Sequence, residues 1–212
     1  MKSKDFLIED NKIKQAIKND DISVKDASML SLIKRDCQPF LQAVDYKPIL
    51  GHPLYRGIVV PFDADPFISK KVRLTNRKPR NTHIELHAEI NDYFTEAFGA
   101  PFRDAIFCSG RWADASYYGR PYYIFPRGNF QYLWSPKVPD LYEKLEVDIR
   151  QHPGKTIEYI KKLEYQTTEL QRGIDSNNEI MIRCDSYYGI NERHIRNTLS
   201  GVTARKWEEL LK

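Results

Sequence analysis

The sequence predicts an α+β fold, and three observations carry that reading. Helical and extended segments follow one another without the regular βα alternation of a doubly wound sheet. The extended segments are short and rich in Ile, Val, Phe and Tyr. The chain's 212 residues, 41% hydrophobic and 29% charged, suffice for one good core with at most a small appended subdomain. The chain divides into an N-terminal helical segment over residues 1–46, packed on the core, and a main domain over 47–212.

The elements follow in order. In residues 1–46, Ile13, Ala16 and Ile17 share one helical face. Met29, Leu30, Leu32 and Ile33 form a second, continued toward Phe40, Leu41 and Val44 past a kink at Pro39. Ser23 is placed to cap the second helix, with Asp26 three positions on. Leu54 to Val60 reads as a strand, and residues 61–80 read as a loop with Pro61, Pro66 and Pro79. Asn81 to Phe98 is the clearest helix: Thr82 and Glu85 form a capping box, Leu86, Ile90, Tyr93, Phe94 and Ala97 recur at helical spacing, and Gly99 ends it. Asp104 to Ser109 reads as a buried strand and Trp112 to Tyr118 as a short helix. Tyr122 to Phe125 and Phe130 to Trp134 flank a turn at Arg127-Gly128-Asn129. Two helices, Val138 to Ile149 and Thr156 to Leu170, follow; strands Glu179 to Arg183 and Tyr187 to Ile190 and a helix from Lys206 close the chain.

Composition narrows the function classes. A net charge of +4 permits an anionic partner without demanding one. The basic residues cluster in the 70–80 loop, at Lys70, Lys71, Arg73, Arg77, Lys78 and Arg80. Three cysteines without CxxC spacing argue against a disulfide framework and against a zinc site, and suit a reducing cytoplasm. No apolar run suits a signal peptide or a membrane helix, so a cytoplasmic protein without membrane contact is expected. His83 and His87 stand at metal-ligand spacing, but no HExxH pattern or third ligand accompanies them, and no metal is expected.

Three short motifs carry chemistry. Leu54-Tyr55-Arg56-Gly57, Ile106-Phe107-Cys108-Ser109-Gly110 and Asn178-Glu179-Ile180-Met181-Ile182 each lie on or beside an apolar strand. A guanidinium is the side chain suited to a pyrophosphate, since it is always charged and offers several donors. A carboxylate stabilises a positively charged sugar, as in glycosidases. A glycine lets a nicotinamide amide reach the backbone.

With these motifs in this order, the chain resembles the ADP-ribosyltransferases of the arginine–serine–glutamate type, which include the cholera-toxin-like enzymes. The resemblance spans roughly residues 50–190 in motif order. It implies a split β-sheet core with flanking helices, and makes 47–212 the catalytic domain. It implies NAD as co-substrate, with Arg56 on its phosphates and Gly57 on its nicotinamide amide. Ser109 would orient Glu179 and the ribose, and Glu179 would stabilise the cation. Tyr118 and Tyr122, close to the serine motif, are candidates to stack on the nicotinamide. Two departures stand out. Ser109 sits in Cys-Ser-Gly rather than Ser-Thr-Ser, and Asn177 takes the place, two before Glu179, where arginine-directed members have Glu. An amide there suits an uncharged acceptor, such as a nucleobase or an Asn or Gln side chain.

The expectation is thus a mono-ADP-ribosyltransferase, a toxin-like or phage-type effector acting on a protein or nucleic acid, with an inhibitory or antitoxin partner. Arg73 and Arg77 are candidate phosphate contacts. The competing readings are a non-enzymatic nucleic-acid-binding protein, using loop 70–80 and exposed tyrosines, and a degenerate transferase fold kept as an interaction module.

Overall fold

Seven strands among the described residues form two antiparallel sheets in the computed structural model, which describes residues 10–75, 82–145, 154–198 and 201–212. Strands β1 (Tyr55–Ile58), β4 (Arg120–Pro126), β7 (Ser186–Asn191) and β2 (Phe67–Lys71) make the larger sheet, in that order. Strands β3 (Ile106–Cys108), β6 (Ile180–Arg183) and β5 (Gln131–Trp134) make the smaller one, with β6 at the centre. Helices flank both sheets, so the architecture is α+β.

The central strand shows why the smaller sheet is buried on both faces. Successive side chains of a strand point to opposite sides. Ile180 and Ile182 enter one hydrophobic cluster with Ile33, Phe40, Tyr122 and Trp207. Met181, between them, enters a second cluster with Phe94, Phe102, Leu141 and Ile160. The first cluster takes in α1 (Asn11–Lys18), α2 (Val24–Asp36) and α3 (Gln38–Ala43), so the N-terminal helices share a core with the larger sheet. Ser23 caps α2, as its spacing suggested: its hydroxyl oxygen accepts from the Asp26 N–H at 3.1 Å.

Three expectations are corrected. Residues 61–80 are not all loop, because β2 pairs with β7 along Phe67–Lys71. This strand is on the sheet edge and its last three residues are exposed, so it lacks the apolar alternation that announces a strand. The segment 156–170 is not one helix. It divides into α7 (Thr156–Lys161) and the start of α8 (Leu170–Asp175), because Gln166 leaves the helix to exchange two backbone hydrogen bonds with Trp134. Finally, α4 (Ile84–Phe98) begins at Ile84 with no side-chain cap, so the Thr82–Glu85 box does not form.

Four more helices complete the described chain. They are α5 (Trp112–Ser116), α6 (helical over 141–145), α9 (Glu192–Thr198) and α10 (Gly201–Leu211). No helix among the described residues is long and apolar enough to cross a membrane.

Candidate active site

An isolated β-bridge joins the edges of the two sheets. The Tyr55 N–H donates to the Ser109 carbonyl at 2.8 Å, and the Ser109 N–H donates to the Tyr55 carbonyl at 2.9 Å. This isolated bridge joins β1 to the end of β3 and so brings the first two motifs side by side. Because β3 pairs with β6, Cys108 lies opposite Ile180, and Glu179 falls next to the same joint. A cleft of about 540 Å³ opens there, and Arg56, Gly57, Ser109, Tyr118 and Glu179 all line it. Positions up to 123 apart in sequence (179 minus 56) thus share one wall-to-wall site.

Each group is held by identifiable contacts. Arg56, half-buried, donates from Nη1 to the Phe107 carbonyl at 3.1 Å, which ties β1 to β3 a second time. Tyr187 also lines the cleft. Burial pushes its hydroxyl pKa up, and the neighbouring Arg56 cation pulls the other way. Gly57 is there for space. A Cβ at this position would stand 2.0 Å from the Ala115 carbonyl oxygen, so only glycine lets α5 pack against β1.

Ser109 acts through backbone. Its Oγ lies 3.0 Å from Asp114 Oδ2 and 3.1 Å from the Asn177 carbonyl, and accepts from the Arg111 N–H at 3.1 Å. The serine therefore reaches the chain two residues before Glu179. Glu179 donates its own N–H to the Pro139 carbonyl at 3.0 Å. Its Oε1 lies 3.7 Å from Arg103 Nη1, and both side chains are nearly enclosed, at 13% and 8% exposure.

Beside this trio the cleft carries Arg103, which sequence reading passed over, together with Tyr118, named there as a cofactor contact, His87, named only for its metal-ligand spacing, and Lys70 of the basic cluster. Arg103 stacks on the Phe107 ring, 4.8 Å from its centroid. His87 lines the cleft, with Nε2 3.1 Å from Asp104 Oδ1. Tyr118 donates its hydroxyl to Asp140 Oδ2 at 3.1 Å. Burial, reinforced by Asp140 and Glu179, pushes the Tyr118 pKa up to about 12, so it remains a donor at neutral pH. Lys70, at the end of β2, also lines the site. The wall thus carries three cations, Arg56, Lys70 and Arg103, and three carboxylates, Asp114, Asp140 and Glu179. Such a mixed lining suits a ligand with anionic and cationic parts.

Other expected residues lie elsewhere. Tyr122 is fully buried in the first cluster and does not line the cleft. Although Tyr122 pairs with Arg56 across β1 and β4, its side chain is in the core, and Tyr187 is a tyrosine near Arg56 that does line the cleft. Asn177 is exposed in the left-handed conformation, φ 60°, which asparagine tolerates well; only its carbonyl reaches the site, through Ser109. Arg73 is exposed and outside the cleft, donating from Nε to the Thr75 carbonyl at 3.3 Å. Arg77 falls outside the described residues. His83 is exposed while His87 is buried, so the pair does not converge. Among the described residues no group of three or more His, Cys, Asp or Glu side chains is placed to hold a metal. Burial pushes the Cys184 thiol pKa up to about 12, which keeps that sulfur unreactive.

No protein-family model matches the sequence, and neither the curated proteins nor the solved structures contain a match to it.

Proposed function

We propose that this chain is an NAD-dependent mono-ADP-ribosyltransferase that moves ADP-ribose to a macromolecular acceptor and releases nicotinamide. The observation that carries the reading is the convergence on one cleft of Arg56 and Gly57 from β1, Ser109 just after β3 and Glu179 just before β6. In the reaction, the bond between ribose C1′ and the nicotinamide nitrogen breaks, and the sugar carries positive charge. Glu179, held in a largely enclosed wall, stabilises that charge electrostatically. Arg56 and Lys70 engage the pyrophosphate. Ser109 positions the turn that leads into Glu179 through the Asn177 carbonyl. No step calls on a metal.

The acceptor is a protein or a nucleic acid. Tyr117, next in sequence to the cleft-lining Tyr118, is 85% exposed, and Phe62 is 88% exposed, so each offers an aromatic ring to a macromolecular partner. The same exposed tyrosine favours a second reading, a nucleic-acid-binding protein without catalysis. It predicts salt-sensitive binding to single-stranded RNA or DNA in the absence of NAD affinity.

The test is nicotinamide release and label transfer from radiolabelled NAD in a cell lysate, followed by protease or nuclease treatment. The transferase reading expects label in one fraction, and a loss of about 10²-fold or more in Glu179→Gln with the fold intact. Full activity in that variant removes Glu179 from the chemistry. Absence of both nicotinamide release and label in the unaltered protein sinks the reading.

A further inference from the structure

A buried histidine, His87, stands on the same wall. Arg103 and Asp104 are consecutive in the 3-10 turn Phe102–Asp104. Arg103 faces Glu179 at 3.7 Å, and Asp104 holds His87 Nε2 at 3.1 Å. Asn91 is fixed by its neighbour: its Oδ1 accepts from the Arg103 N–H at 2.8 Å, which leaves its Nδ2 toward the histidine, 3.4 Å from Nε2. Both contacts of the ring among the described residues therefore fall on Nε2, and because one nitrogen cannot donate to Asp104 and accept from Asn91 together, the closer, charged carboxylate at 3.1 Å takes the hydrogen. The other nitrogen, Nδ1, is buried and has no hydrogen-bond partner among the described residues. The residue is only 5% exposed, yet it lines the cleft. A buried polar atom without a partner calls for an explanation, and in a residue that lines a cleft a ligand or reacting group can supply the missing partner.

We propose that His87 Nδ1 is the general base that takes the proton from the acceptor, an inference that rests on the transferase reading. Asp104 holds the hydrogen on Nε2, which leaves the lone pair on Nδ1 and stabilises the imidazolium once it forms. The C1′–N bond breaks, with its electron pair going to nicotinamide, which leaves neutral. The acceptor's lone pair forms the new bond to C1′. The acceptor's proton passes to Nδ1 and then to solvent. The geometry thus selects an acceptor with a removable hydrogen on a neutral oxygen or nitrogen, such as a hydroxyl, an amide or a nucleobase N–H. It disfavours a guanidinium, whose proton imidazole is too weak a base to remove.

The experiment uses the whole chain, NAD and two small nucleophiles. Water must lose a proton when it attacks C1′, whereas azide has none to lose. His87→Gln keeps an N–H directed at Asp104 and removes the base. Its NAD hydrolysis is expected to fall by about 10²-fold or more, within the usual range for loss of a general base. Azide is expected to restore nicotinamide release to within about tenfold of the unaltered protein, with ADP-ribosyl azide as product. Asp104→Asn, which favours the wrong tautomer, should show the same pattern, and it serves as the variant of record if a melting curve shows His87→Gln unfolded. Hydrolysis at the original rate in the variants, or equal slowing with water and azide, overturns the proposal. If the unaltered protein releases no nicotinamide with either nucleophile, the transferase reading itself fails.

Discussion

Gly57→Ala separates two explanations for the glycine after Arg56. One is a ligand that needs bare backbone; the other is helix packing. The structure gives a magnitude for the second. The added Cβ would lie 2.0 Å from the Ala115 carbonyl oxygen, 2.9 Å from the Gly119 nitrogen and 2.9 Å from the Tyr118 Cβ. Ordinary contact begins at 3.4 Å, so α5 must withdraw from β1 by about 1.4 Å (3.4 minus 2.0). Two of the three clashing atoms are backbone and cannot rotate away. Overpacking of this kind costs about 3 kcal/mol, the upper end of the common range. For a chain of this size, that lowers Tm by roughly 6–12 °C. The control is Gly128→Ala, where nothing lies within 4 Å of the new Cβ and only φ +62° opposes the change. That substitution should cost about 1 kcal/mol, or roughly 2–4 °C. The assay is a pair of thermal melts, read with NAD affinity by calorimetry. Ala115 and Tyr118 line the cleft with Gly57, so on the proposed transferase reading the first variant should also lose NAD binding. A Gly57→Ala protein that melts with the unaltered chain would refute the packing argument.

Two further outcomes follow from the charged groups. Asp36 accepts from Arg35 at 2.6 and 3.0 Å, from Arg127 at 3.2 Å and from the Tyr188 hydroxyl at 2.7 Å, which ties α2 to β7. The Arg35 hydrogen bond is the largest cause that lowers its pKa to about 2, from an ordinary 3.8. A depressed carboxylate stabilises the fold fully above its unfolded pKa, and that contribution is lost as pH falls through the folded value. Acid melts should therefore show about 1–2 kcal/mol disappearing between roughly pH 4 and pH 2, after allowance for solvent screening. Asp36→Asn should be less stable at neutral pH and lack that acid step; an unchanged step would assign it to other carboxylates. Tyr118→Phe removes a donor to Asp140, which also accepts from the Tyr142 N–H at 2.8 Å to start α6. Stability should fall by at most about 1 kcal/mol, and on the proposed transferase reading KM for NAD should rise. An unchanged KM would take Tyr118 out of the cofactor's path.

The helices of this chain were legible because their faces repeat. Met29, Leu30 and Ile33 on α2, and Ile90 and Phe94 on α4, are buried where the helical period puts them. The central strands were legible too, since Ile180-Met181-Ile182 is apolar throughout and buried on both sides. The edge strand β2 was not, because Ser69, Lys70 and Lys71 face solvent and follow the rules of a charged edge. Arg56, Ser109 and Glu179 could be singled out by motif, but not their contacts. That Ser109 bonds the Asn177 carbonyl depends on how the turn before β6 closes, with Asn177 at positive φ. The residues beside them left one faint trace. His87 and Asn91 lie on the buried stripe of α4 with Ile90 and Phe94, and two polar side chains on an apolar stripe need partners. Those partners come from the turn at 102–104, which shares no local pattern with the helix.

That turn explains how a small site can hold several charges in place. A 3-10 helix has about three residues per turn, so three consecutive side chains point in three directions, roughly 120° apart. Phe102 takes the inward direction and is fully buried in the second hydrophobic cluster. Arg103 takes the next and faces Glu179; Asp104 takes the third and faces His87. The buried ring therefore anchors a cation beside Glu179 and a carboxylate beside His87, through one turn. The Asn91 side chain, bonded to the Arg103 N–H, fixes the same turn from α4. Displacing that turn shifts both partners together, so substitutions at Arg103 and Asp104 share a cause and their effects need not add.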